Sequence, residues 1–167
     1  MQIKEIKPIN FLFYRTETKV DDLAALAPKA KELFKEAVRL DLHITGPVHW
    51  HYFGFTGDLS KPFTLEISLP VADIPADYDG LLHFKRTQPF KSVVVTHEGS
   101  WESMLAAYSK VMEFVEKNNL QPSNMNREVY VNVDFTIPKQ TLLKFNLVFY
   151  SLDNEFRVSA FKYYAML

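Results

Sequence analysis

The residues of this sequence that can do chemistry fall in a few short stretches. His49 and His51 stand i, i+2 in GPVHWHYFGF, so on a strand both point to one face and both can reach a metal ion. A zinc site needs further ligands, and a chain without cysteine leaves only distant histidines or carboxylates for the task. Two histidines on a partly exposed strand face is the plainer reading, and no metal or other cofactor is expected. Trp50 and Tyr52 point the other way, either into a core or as the wall of a pocket for a flat ligand.

Glu66 lies between Leu65 and Ile67 in the apolar strand FTLEISLPV. A carboxylate is costly to bury there unless it faces water, a partner or a ligand. Among aromatics it would anchor a cation or amine. With a raised pKa it would act as a general acid or base. Tyr130 shares a strand face with Glu128, for which Arg127 and Arg86 offer ion-pair partners, and a structural role is expected of Glu128. Lys31, Lys35 and Arg39 form a basic line at helical spacing, with Glu32 and Glu36 placed to pair with Lys35 and Arg39, as on a solvated face. No Ser-His-acid order and no phosphate-binding glycine pattern appears, since Gly54 and Gly57 are not followed by a helix signal. No catalytic residue is assigned.

Two helices and several strands must position these groups. Ser100 is a suitable N-cap for a helix whose apolar stripe is Met104, Leu105, Tyr108, Val111, Met112 and Val115, with Asn118-Asn119 as its stop. An earlier helix begins near Asp21, Asp22 and Pro28 and buries Leu33, Phe34, Ala37 and Val38. Alternation predicts strands at 3–15, 48–55, 63–71, 82–97 (broken near Pro89), 127–135 and 142–151. A turn at Asp153-Asn154 leads to a last strand, 156–164. The order strand, helix, strand, strand occurs twice with a period of about 80 residues, too long for a solenoid. The fold class expected is α+β: duplicated βαββ units, about 1–75 and 80–152, sharing an antiparallel sheet with two main helices around an inter-repeat cleft. Residues 155–167 add an extra C-terminal strand, and clefts between half-domains are favoured ligand sites.

Composition narrows the function. The 167 residues suit one domain, 1–167, able to bury roughly 70% of its unfolded surface. A net charge of −1 shows none of the basic surplus of a phosphate-backbone binder, so no direct nucleic-acid contact is expected. The N-terminus MQIKEIKPINF lacks an apolar signal core, and no run approaches a membrane span, so cytoplasmic residence is expected. Fourteen Phe, eight Tyr and two Trp supply surface for a core or a flat ligand alike.

The motifs VVVTHEGSW, Ala107-Tyr108 and Arg127-Glu128-Val129-Tyr130, in that order, resemble the middle of the GyrI-like small-molecule-binding domain. That domain is also the effector-binding part of AraC- and MerR-type multidrug regulators. GPVHWHYFGF is similar to the family's Gly-Pro strand, which ends in a tyrosine at Tyr52, and LEISLPV to its Glu-x-x-x-Pro-Val strand. The family fold is itself a duplicated βαββ. The resemblance implies a pocket with Trp101 beside it, and Tyr14, at the end of the first strand, is a similar contact. The family's last strand often carries a second acidic residue, and here Asn146 takes that register, so cation specificity does not carry over directly.

The function expected is a stand-alone binder of a hydrophobic or aromatic small molecule, cationic or neutral, that senses or sequesters a drug or toxin. Tyr14, Trp50, Tyr52, Glu66, Trp101, Tyr130 and Asn146 are its candidate ligand-binding residues. With no helix-turn-helix signal ahead of the first strand in this sequence, a complete transcription factor is not expected. The alternatives are a hydrolase of strained electrophilic toxins in the same cleft, with Glu66 activating water or protonating the leaving group, and a gyrase-inhibitor-like protein-interaction module. FRVSAFKYYAML, within 155–167, is apolar enough to pair with a sheet edge or a second subunit, giving a homodimer.

Overall fold

Among the described residues, alternating apolar and polar residues give eight strands: β1 (Gln2–Ile6), β2 (Asn10–Thr18), β3 (His49–Phe53), β4 (Phe63–Val71), β5 (His83–Arg86), β6 (Phe90–Gly99), β7 (Pro122–Val133) and β8 (Thr141–Phe149). A short helix α1 (Leu23–Leu26) precedes α2 (Pro28–Arg39), and α3 (Met104–Lys117) follows β6. The computed structural model describes residues 1–100, 103–133 and 141–149, with the backbone alone for 132, 133 and 141–149. The turn at Asp153-Asn154, the strand 156–164 and the proposed dimer segment lie outside the described residues.

The strands form one antiparallel sheet in the order β1-β6-β8-β7-β3-β4-β2-β5. Outward from the central β7–β3 pair, the order is β7-β8-β6 on one side and β3-β4-β2 on the other. The first strand expected from sequence, 3–15, is broken at Pro8, which lacks the N–H a ladder requires. β1 consequently joins β6 at one end of the sheet, while β2 lies near the other. Pro89 divides β5 from β6 in the same way. Each break is crossed by three residues, which span at most about 14 Å. The Ile9 N–H donates to Thr87 Oγ1 at 2.9 Å, and the Thr87 N–H to the Ile9 carbonyl at 2.9 Å. The two links are therefore bound to one another, and the sheet is rolled so that its ends approach.

The helices cover one face. α2 packs on β4 and β2, α3 on β6, and the central strands β3 and β7 run between them. Pro28 opens α2 at its first turn, where its missing N–H costs nothing. Leu33 and Ala37 are buried against Leu12, Leu65, Ile67 and Leu69. Phe34 and Val38, expected in the same stripe, are 41% and 76% exposed, because the sheet meets a narrower arc of the helix. Glu36 pairs with Arg39 as expected, but Glu32 takes Lys29 instead of Lys35. In α3, Val111 and Val115 bury against Val93, while Leu105 stays exposed. Ser103, not Ser100, is the N-cap residue of α3, and Asn119 adopts the left-handed conformation (φ 50°) just past its end.

Candidate functional site

β3 and β7 are neighbours in register, with Trp50 opposite Glu128 and Tyr52 opposite Asn126. Their helix-facing side chains therefore form the floor between α2 and α3. Glu128 is the centre of that floor and is 4% exposed. Tyr52 donates its phenol proton to Oε2 at 2.7 Å, Tyr130 donates to the same oxygen, and Tyr108 of α3 donates to Oε1 at 2.6 Å. The Asn126 amide donates in turn to the Tyr108 phenol at 3.2 Å. The rings of Trp50 and Tyr130 are 5.5 Å apart, and Phe63 and Phe55 continue the aromatic wall beside Tyr52.

Among the described residues no basic side chain is within ion-pair distance of Glu128. Burial raises its pKa, and the three phenol hydrogen bonds act against that rise by favouring the carboxylate. Burial first, and the Glu128 charge next, push the Tyr52 and Tyr130 hydroxyls well above the usual phenol range, so both remain donors. The cluster is an anionic group solvated by phenols inside an aromatic shell. Such a shell attracts an organic cation through charge and ring faces together. A carboxyl of raised pKa can also hold a proton for acid catalysis.

The opposite side of β3 carries a second cluster. His51 is fully buried, and His49 and Glu66 are nearly so. In register, Arg15, Glu66, His51 and Arg127 form one row across β2, β4, β3 and β7. Glu66 takes Arg15 Nη1 on Oε1 at 3.1 Å and Lys85 Nζ on Oε2. His51 Nδ1 is 3.3 Å from Ser68 Oγ and 3.6 Å from Glu66 Oε2. Burial, reinforced by Arg127 and Lys85, lowers the His49 pKa to about 3 and that of His51 well below the ordinary value. Both imidazoles are neutral at pH 7. The partly exposed histidine face expected from sequence is thus an interior: both imidazoles are buried, and the Arg127 guanidinium on the same face stacks 3.9 Å from the ring centre of Phe90, at the start of β6. Among the described residues no group of three or more possible ligands is placed to hold a metal ion.

Of the candidate residues, Trp50, Tyr52 and Tyr130 come together at Glu128. Tyr14 shares their face in the row Tyr14, Ile67, Trp50, Glu128, but its ring is under Lys29 of α2, 4.9 Å away. Glu66 is separated from them by the thickness of the sheet. Asn146 is opposite Arg127 in the β7–β8 register, with its side chain outside the description, and Trp101 lies outside the described residues altogether. Glu128 and Tyr108 are the members that sequence reasoning missed. Strand alternation held the signal for Glu128: adjacent Arg127 must face the other way, and Arg86 instead donates to Asn10 Oδ1 at 2.9 Å.

No family model and no curated protein matches the sequence. Solved structures do match. The C-terminal domain of EcmrR superposes with a TM-score of 0.74 at 19% identity, over 90% of this chain and 97% of that one. EcmrR in its DNA complex gives 0.72 at 19% identity over 89% of this chain, which spans 56% of the length of that protein. SAV2435 bound to tetraphenylphosphonium gives 0.61 at 13% identity, covering 90% and 94% of the two chains. A hydrolase from Listeria innocua gives 0.61 at 14% identity, covering 89% and 91%. No helix among the described residues is long and apolar enough to cross a membrane. With two principal helices on an antiparallel sheet, this chain has the fold of the GyrI-like effector-binding domain.

Proposed function

We propose that the chain binds a small organic cation bearing aromatic surface, and that the Glu128 floor between α2 and α3 is its site. The observation that carries this reading is a buried carboxylate held by three phenols, with no basic partner among the described residues. A desolvated charge without a counterion is costly, and a cation stacked on Trp50, Tyr52 and Tyr130 offsets that cost. The tetraphenylphosphonium bound to SAV2435, a phenyl-bearing cation on the same fold, supports the ligand class. Sensing or sequestration of a drug-like compound follows from such a site.

Thermal denaturation with tetraphenylphosphonium and with a neutral triaryl compound of similar size tests it. At a hundred times its dissociation constant a ligand stabilises the fold by about 2.7 kcal/mol. The cation is expected to raise the Tm of wild type and of Glu66→Gln, and not that of Glu128→Gln. A shift that survives Glu128→Gln and disappears in Glu66→Gln would move the site to the other face. No shift with either compound would end the small-molecule reading.

Hydrolysis of a strained electrophile is the second reading, favoured by the raised pKa of Glu128 and by the shared fold of the Listeria innocua hydrolase. It requires consumption of the electrophile beyond one equivalent, lost in Glu128→Gln.

A further inference from the structure

We propose that the Glu66 cluster is a second cation cage, selective for a primary ammonium group, which the chain fills with its own Lys85. Lys85 is on β5, a four-residue strand that among the described residues lies at the edge of the sheet and pairs with β2 alone. Its Nζ reaches Glu66 Oε2 and is 3.4 Å from His51 Nδ1. It lies 4.8 Å from the ring centre of Phe13, 5.6 Å from Phe53 and 5.8 Å from Phe11. An ammonium group only donates, so His51 Nδ1 accepts and the imidazole proton is on Nε2. The cage therefore presents a carboxylate oxygen, an imidazole nitrogen and three ring faces to one cation.

This chemistry is complementary to that of the Glu128 floor. There the carboxylate oxygens already accept from phenols, which suits a cation without N–H groups. Around Glu66, Oε1 accepts from Arg15, whereas Oε2 accepts from the Lys85 ammonium, and a quaternary cation in place of that ammonium would leave Oε2 without its N–H donor. The Lys85 side chain is 24% exposed, so the cage opens to solvent once that side chain is shortened. Its occupation also has a structural consequence. β5 leads through residues 87–89 into β6, so the Lys85 ammonium pins the chain entering β6 onto β2 and β4. The proposal is independent of what Glu128 binds.

Lys85→Ala in the full chain removes the side chain beyond Cβ, and n-propylammonium supplies the same atoms from solution. The variant is expected to melt at lower temperature, and n-propylammonium to restore most of the lost Tm with a saturable dose response. Tetramethylammonium and sodium at equal ionic strength are expected to restore little, and Lys85→Ala with Glu66→Gln to show no rescue by any amine. Equal rescue by tetramethylammonium or sodium, or none in a folded variant, would overturn the proposal. Should Lys85→Ala not fold, wild-type acylation by an N-hydroxysuccinimide acetate, read residue by residue by mass spectrometry, decides. Lys85 is expected to react several-fold more slowly than exposed Lys91, and to approach its rate in Glu66→Gln; equal rates in wild type would reject the cage.

Discussion

Two buried carboxylates lie on opposite faces of the sheet, on the strands that flank β3, Glu66 on β4 and Glu128 on β7, and they solve the same problem differently. On the helix side, Glu128 accepts from the phenols of Tyr52, Tyr108 and Tyr130, which bring no countercharge. On the other side, Glu66 is neutralised by Lys85 and Arg15. Phenols supply hydrogen bonds without a countercharge, so the first arrangement stays receptive to a cation. An ion pair satisfies both needs at once and leaves a foreign cation little to gain. The difference teaches that burial and aromatic neighbours do not by themselves mark a carboxylate as a ligand site; the proposed assignment to Glu128 rests on how its charge is answered.

Removing each carboxylate is the strongest way to break the comparison. Glu66→Ala leaves the Lys85 ammonium, 24% exposed, without its partner, while the 54% exposed Arg15 is rehydrated, and a loss of about 3 kcal/mol, at the low end for a buried pair, is expected in urea denaturation. Glu128→Gln keeps an oxygen that accepts from the phenols, and a change of about 1–2 kcal/mol is expected. If Glu128→Gln proves the more damaging of the two, Glu128 is the structural group and the assignment of roles reverses.

Acid separates the faces next. The His49 pKa is lowered to about 3, by burial first and then by Arg127 and Lys85. The folded protein therefore holds fewer protons than the unfolded chain below pH 6.5. Stability present above pH 6.5 is lost as the pH falls towards 3. Glu128 acts in the opposite sense: its pKa is raised by burial, so its protonated form favours the fold at low pH, and that contribution is lost as the pH rises through the raised value. Melting curves from pH 3 to 8 are expected to show a steep acid limb that flattens in His49→Phe. Glu128→Gln is expected to gain on wild type as the pH rises. An unchanged acid limb in His49→Phe would mean that His49 does not control acid stability, and would leave His51 as the group of that face that does.

The fold was largely legible in the sequence, and the proposed site in part. Alternation placed β4 and β7, helical spacing placed α3, and Asn118-Asn119 marked its end. The site was harder because strand β4 reads as half-buried, with Leu65 and Ile67 in and Glu66 out, whereas both of its faces are covered. Alternation reports two faces but not what covers the second, and here the cover is the roll of the sheet, created by the breaks at Pro8 and Pro89. Glu66 looked like the unanswered carboxylate because Lys85 and Arg15 reach it from strands 19 and 51 residues away. Glu128 looked answered because Arg127 is adjacent in sequence, although adjacency in a strand places the two on opposite faces.

The smallest expected effect comes from α2, where Leu33 and Ala37 meet the sheet and Phe34 and Val38 do not. Val38→Lys places a charge at a position 76% exposed, where no apolar packing is lost. Lysine also has the better helix propensity, because valine's branched Cβ restricts χ1 in a helix. The like charges of Lys31 and Lys35 on the same helix act slightly the other way, and the sum is expected to stay within about 0.5 kcal/mol of wild type in urea. Such a variant serves as a matched control for the carboxylates, since it changes charge on the same domain without touching either cluster. A loss above about 1 kcal/mol would mean that Val38 is covered by another part of the protein, and that α2 buries a second face beyond the one packed on β4 and β2.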